Sequence, residues 1–207
     1  MRHLIWLTPL ILYGLFFGWY TNLSGPLTDD EIAATVARME ANGSTAERIA
    51  LVKKFMVEDT GGQFLMMNVI EMKDPPDQIR GVEPTDTADD VMAKYMEYMW
   101  PALLNRACHP VVFGLAVSDS LDLMGIEGAE VWTQAAFMRY RSRRDMLEIS
   151  GNPEFSGRHE FKFAAMNKTI AYPVEPTINL GDPRILLGLL ALFLSSILFA
   201  FTARGPR

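Results

Sequence analysis

Asn68 lies in the middle of QFLMMNVIEM, Gln63 to Met72, a run that is apolar on both faces. By period-two alternation it shares a face with Phe64, Met66 and Ile70. A primary amide on such a face must find a hydrogen-bond partner, most simply in a neighbouring loop. The densest basic cluster is RYRSRR, which holds Arg139, Arg141, Arg143 and Arg144. Arg139 and Arg141 share one strand face, opposite Tyr140. In a chain of net charge −6 the expected use of these arginines is salt bridging. The sharper alternative is a site for an anion or an anionic headgroup.

Other reactive residue types lack the company that chemistry needs. Cys108 is the only cysteine, so neither an internal disulfide nor a cysteine-built zinc site is available. It reads as a small buried hydrophobe. His109 precedes Pro110 and reads as a local hydrogen-bonding residue in a helix-to-strand turn. HExxH and CxxC spacings are absent, so no metal centre is expected. Ser24, Ser118, Ser120 and Ser150 have no G-x-S-x-G context. Gly61-Gly62 alone is a turn. The 13 methionines fall mostly at apolar positions and read as adaptable core or contact surface.

The elements that position these residues follow from periodicity. Ile32, Val36 and Met39 predict a helix over Asp29–Asn42, stopped by Gly43. A second helix spans Ser44–Val57, with Ser44-x-x-Glu47 at capping-box spacing. Gln63–Met72 is a strand. Thr87 caps a long helix to about Ala107, with Val91, Tyr95, Met99 and Leu103 along one side and a kink expected at Pro101. Val111–Val117 and Glu130–Tyr140 are strands. Ser142 caps another helix, and Phe161–Tyr172 is the last strand. The order β-α-β-β-α-β is the ferredoxin-like plan, four antiparallel strands with helices on one face.

The two ends of the chain differ from its middle. Leu4–Tyr20 is uncharged for seventeen residues, and Ile185–Ala203 for nineteen. No acid occurs in residues 1–20 or 183–207, and the only bases there are Arg2, Arg184, Arg204 and Arg207. Fifteen basic and twenty-five acidic residues therefore fall in between. So acidic a middle excludes nucleic acid as a partner. Each end reads as a transmembrane helix in a lipid bilayer. The first is read as retained and not as a cleaved signal peptide, because it is long and ends in bulky aromatics. The positive-inside rule places both termini in the cytoplasm and residues 21–182 in the periplasm of a bacterial inner membrane. Gly14 with Gly18, and Ala191 with Ser195, are small-xxx-small pairs suited to close helix packing.

The runs FMVEDTGGQFLMMNVIEM, YMEYMWPALLNRACHPVV, VWTQAAFMRYRSRRDMLEI and PEFSGRHEFKFAAMNKTIAYP resemble the dimeric α+β barrel superfamily. The nearest flavour is its antibiotic-biosynthesis-monooxygenase-like and uncharacterised small domains, and the likeness covers about residues 55–173. The resemblance implies a sheet face covered by a second copy of the chain. It also implies, for haem-degrading members, an Asn on the first strand, a Trp on the third and a late His, here Asn68, Trp132 and His159. Phe155 to His159 has the matching Phe-x-x-x-His spacing, although Gly157 argues against a firm helix there. Tyr140 joins these three as a residue for a haem, quinone-like or other aromatic ligand.

The expected fold is thus α+β, a ferredoxin-like βαββαβ domain flanked by two transmembrane helices. The expected segments are 1–21, a two-helix stretch over 22–60, the ferredoxin-like domain over 61–176, and 177–207. The expected function is an accessory subunit of a larger membrane complex, respiratory or photosynthetic for example, without a cofactor. Its partners would be other integral membrane subunits or a second copy. The alternative is a haem- or aromatic-ligand-binding, monooxygenase-like enzyme.

Overall fold

In the computed structural model, which describes residues 2–152 and 157–203, the elements in order are α1 (Arg2–Tyr20), α2 (Asp29–Ala41), α3 (Ala46–Val57), β1 (Phe64–Met72), α4 (Ala88–Asn105), β2 (His109–Leu115), β3 (Gln134–Tyr140), α5 (Arg143–Ser150), α6 (His159–Ala165), β4 (Met166–Val174) and α7 (Pro183–Ala203). Hydroxyl side chains open four of the helices, each accepting from an otherwise orphaned backbone N–H. Thr28 and Thr87 form reciprocal capping boxes with Glu31 and Asp90. Ser142 caps α5 through the N–H of Asp145. At α3 the cap is Thr45 and not Ser44, because it is Thr45 that accepts from Arg48 N.

Residues 24–175 make one compact unit, so the two early helices belong with the sheet. The strands are antiparallel in the order β2-β3-β1-β4. This is the ferredoxin-like α+β arrangement. Val91, Tyr95, Met99 and Leu103 of α4 form the core with Ile149 of α5 and Phe161, Ala164 and Ala165 of α6. Fully burying a side chain the size of Leu103 stabilises by roughly 1.5–3 kcal/mol.

Two elements depart from expectation. The segment expected to be one strand from Phe161 to Tyr172 splits into α6 and β4. The alternation FKFAAM mimics a strand, but Phe161, Ala164 and Ala165 are buried at helical spacing while Phe163 is 65% exposed. His159 therefore does open a helix. The third strand begins at Gln134, four residues later than expected, although Thr133 already donates its N–H to Ile70 O. The long helix α4 is present as expected, with Pro101 inside it.

The RYRSRR cluster clamps α2 and α3 to the rest of the unit. Arg144 pairs with Glu31 through two hydrogen bonds, of 2.6 and 3.0 Å, and donates to the carbonyls of Gly25 and Pro26. Arg143 donates to Phe55 O and to Glu175 at 2.8 Å, and lies 3.6 Å from Asp59. Asp59, 2% exposed, in turn accepts from Leu27 N and Gly61 N. Arg141 grips Asp145 with two nitrogens, and the buried Arg139 donates to Gln63 and to Ala107 O.

The Arg144 guanidinium, then the Thr28 N–H, hold the Glu31 carboxyl down at about 2, against 4.5 for an unperturbed glutamate. A carboxyl depressed in the folded state stabilises above its unfolded pKa and loses that contribution as pH falls. Stability is expected to drop between about pH 4.5 and 2, and Glu31→Gln should flatten that part of the profile. Urea unfolding across this range, wild type against variant, checks it.

The second unit is residues 2–23 with 176–203, in which α1 packs on α7. The helices run antiparallel: Trp6 meets Phe199, with ring centroids 6.2 Å apart, and Tyr13 OH donates to Arg184 O at 2.9 Å. A Cβ on Gly188 would lie 3.4 Å from the Tyr13 ring, so the close approach falls there. Gly188, Ala191 and Ser195 share that face by spacing, and Ser195 is buried. Gly14 and Gly18 have nothing within 4 Å of a built Cβ, so the GxxxG pair is not the seam between these two helices. Asp182 caps α7 ahead of Pro183, accepting from Arg184 N and pairing with its guanidinium. Pro183–Thr202, 20 residues of mean hydropathy 2.5, is long and apolar enough to cross a membrane; the apolar stretch Leu4–Tyr20 is shorter. Arg204 and Arg207 lie outside the described residues.

Candidate functional site

The register of the sheet decides what faces the helices. Phe64 pairs with Tyr140, Met66 with Met138, Asn68 with Ala136 and Ile70 with Gln134, all on one face. The small residues Ala136 and, on β4, Ala171 leave room beneath α4, α5 and α6. The result is a cavity of about 540 Å³ between the sheet and the three helices. That volume is in the range of small-molecule sites.

Its walls are apolar and rich in methionine. Met66, Met92, Met96, Met99, Met138, Met146 and Met166 contribute, with Ile70, Leu103, Phe113, Ile149 and Trp100. Methionine is flexible and polarisable and adapts to varied apolar shapes. Against this wall stand Asn68, Tyr95, Gln134, Tyr140, Ser150, His159 and Lys162.

Several of these polar groups keep hydrogen-bonding capacity. Asn68 donates its amide to Met66 O and Ala136 O, at 2.9 and 3.0 Å, which fixes the side chain on the sheet. Gln134 is 7% exposed, and its side-chain amide engages no protein group among the described residues. The same holds for the hydroxyls of Tyr95 and Tyr140. Burial pushes the Tyr95 phenol up to about 12 and raises that of Tyr140 as well, so both stay protonated donors. His159 stacks obliquely on Tyr95, with centroids 5.6 Å apart. Burial also lowers the pKa of the Lys162 amine below the ordinary lysine value.

Asn68, Tyr140 and His159, chosen from the sequence, thus meet at one cavity. Trp132 does not line it. Its Nε1 donates to Ala129 O, and Lys168 Nζ sits 4.7 Å from its ring centroid. Of the Asn-Trp-His set implied for haem, Asn68 and His159 line the cavity and Trp132 does not, and Phe155 lies outside the described residues. The four arginines are held by internal partners, as salt bridging and backbone capture required. Cys108 is fully buried, and burial pushes its thiol up to about 11. Among the described residues no three His, Cys, Asp or Glu side chains cluster as a metal site would require.

Gln134, Tyr95, Lys162 and the methionine wall were not singled out by sequence. Tyr95 and Met99 carried a signal, the helical stripe of α4. Lys162 carried none, since its segment alternates like a strand.

No protein-family model matches the chain, and no curated protein does. Solved structures do resemble it. A methylated form of the RPA0582 protein is 21% identical, with TM-score 0.52, over 67% of this chain and 95% of its own. The RPA0582 protein of unknown function from Rhodopseudomonas palustris gives 20%, 0.52, 65% and 95%. At these identities the likeness shows the fold alone. A dimeric protein of unknown function and ferredoxin-like fold from Bacteroides fragilis is 13% identical over 56% of this chain and 97% of its own, with TM-score 0.33, too slight to carry weight.

Proposed function

We propose that this chain is a membrane-tethered small-molecule-binding protein whose 24–175 unit takes a largely apolar ligand between its sheet and its helices. The observation that carries the reading is the methionine-walled cavity with unengaged hydrogen-bonding groups on Gln134, Tyr95 and Tyr140. These groups face the cavity space, where a ligand's own polar atom could bond them. Few polar groups on an apolar wall is the general pattern of ligand sites.

The tether is α1 with α7. Their apolar side chains point outward, with Leu10 66%, Leu15 69%, Leu189 60% and Phe193 62% exposed. Surfaces of that kind suit lipid. With the positive-inside rule, both termini face the cytoplasm and the binding unit lies in the periplasm.

Ala136→Phe tests the binding reading. The new ring enters the cavity from the central sheet, so dodecan-1-ol binding should fall at least about tenfold while stability is kept or raised. Calorimetry of the full chain in nanodiscs reads the first, and thermal unfolding the second. Equal binding by both proteins would remove the cavity as the site.

The accessory-subunit reading keeps one specific support. The sheet face away from the helices is apolar and only partly covered, with Val112 50%, Ile170 38% and Tyr172 49% exposed. A second copy or another subunit would cover it. The mass of the gently extracted assembly distinguishes these from a lone chain.

A further inference from the structure

Among the described residues the cavity wall carries a basic side chain and no acidic one. None of its described lining residues is Asp or Glu, although the whole chain carries 25 acids against 19 bases. Lys162 is the lysine among the described lining residues, and none of them is an arginine. Its ammonium has neither a hydrogen-bond nor an ion-pair partner among the described residues. Elsewhere in the same unit Lys94, Arg106, Arg141, Arg143, Arg144 and Lys168 all reach a carboxylate. Among the described residues no carboxylate pairs with Lys162.

A half-buried charge facing an apolar wall is costly unless it is paired. Lys162 lies three residues after His159 on α6, and both side chains reach the same space. We propose that the ligand is an acidic amphiphile, an apolar body with a single carboxylate, whose head pairs with Lys162. The charge count selects the head. One lysine matches a monoanion, whereas a dianionic phosphate would leave a negative charge buried without a partner. The methionine wall selects the body by volume and apolarity and not by shape, so an alkyl chain and a fused or linked aromatic body share this chemistry. The proposal rests on the cavity being a ligand site.

Calorimetry on the full chain in zwitterionic nanodiscs tests both, with partitioning into empty nanodiscs subtracted. The probes are dodecanoate, dodecan-1-ol and biphenyl-4-carboxylate. Dodecanoate should bind the wild type about tenfold tighter than the alcohol, the scale of one charge-assisted hydrogen bond. Lys162→Met should remove that ratio, which is read within the variant itself from its acid and alcohol affinities, since Met conserves the apolar stem and lacks the charge. Lys162→Arg should restore it. Tighter binding of dodecanoate than of biphenyl-4-carboxylate identifies the body as lipid-derived, and the reverse order as aromatic. If acid and alcohol bind the wild type equally, or Lys162→Met keeps their ratio, the carboxylate head is wrong while the cavity stands. If no probe binds, the ligand-site reading itself falls.

Discussion

Arg143→Met is expected to destabilise the 24–175 unit by about 3–5 kcal/mol, the scale for leaving one member of a buried ion pair alone. The side chain is 11% exposed, and it is the arginine nearest to Asp59, which is 2% exposed. Asp59 would retain only the N–H groups of Leu27 and Gly61. Two further bonds go with the guanidinium, to Phe55 O and to Glu175. The stack of Arg143 over the Phe55 ring, 4.7 Å to the centroid, goes too. Because Phe55 packs edge-on to Phe64 and Phe64 stacks on Tyr140, the loss propagates to the end of the sheet. Asp59→Asn combined with Arg143→Met should cost clearly less than the sum of the two single changes, since the stranded charge is gone. Urea unfolding of the four proteins supplies the cycle. Additive costs would mean that Arg143 and Asp59 do not act as a pair.

Gly61→Ala carries the second large effect. Gly61 adopts φ +75°, and a Cβ there would stand 2.7 Å from Gly25 C and Pro26 N. Both atoms are backbone, so relief requires moving the chain. That same chain presents the Gly25 and Pro26 carbonyls to Arg144 and the Leu27 N–H to Asp59. A left-handed non-glycine residue costs roughly 1–2 kcal/mol by itself, and the collision adds about as much again. Gly43 supplies the control. Its φ is +73°, but nothing lies within 4 Å of its Cβ position. Gly43→Ala should therefore cost only the conformational share. Thermal unfolding should rank Gly61→Ala well below Gly43→Ala, and equal midpoints would show that the close approach does not exist.

Both predictions concern residues whose role was half visible in the sequence. Gly61-Gly62 read as a turn, and RYRSRR as a salt-bridging cluster. The partners could not be read, because Asp59, Glu31 and Glu175 come from three distant segments. Elements whose evidence is local were legible: the caps at Thr87 and Ser142, the apolar stripe of α4, and the alternation that puts Asn68 and Ile70 on one face. The plan of sheet and helices followed from their order. Misreadings arose where two periods fit one stretch. Phe161 and Phe163 alternate, yet burial of Ala164 and Ala165 against α4 decides for a helix and turns Lys162 towards the cavity. In the terminal helices the GxxxG pair drew attention, but the close contact uses the lone Gly188 opposite Tyr13.

The cavity itself has no sequence signature. Period-two alternation tells which side chains face the helices, not whether they touch them. Ala136 opposite Asn68, with Ala171 beyond, leaves a gap that larger residues would close. Trp132 lies off the cavity for a related reason. It lies two residues before β3 begins, so the pleat that aims Gln134 and Ala136 inward does not govern it.

The central claim is that this space holds an apolar ligand, and photolabelling tests it most directly. A neutral alkyl diazirine is activated with the full chain in nanodiscs, and the labelled peptides are mapped by mass spectrometry. Labelling is predicted on Met92, Met96 and Met99 of α4 and on Met138 of β3, suppressed by excess dodecanoate and lost in Ala136→Phe. Labelling confined to the lipid-facing residues of α1 and α7, unchanged by competitor or by the substitution, would contradict the account.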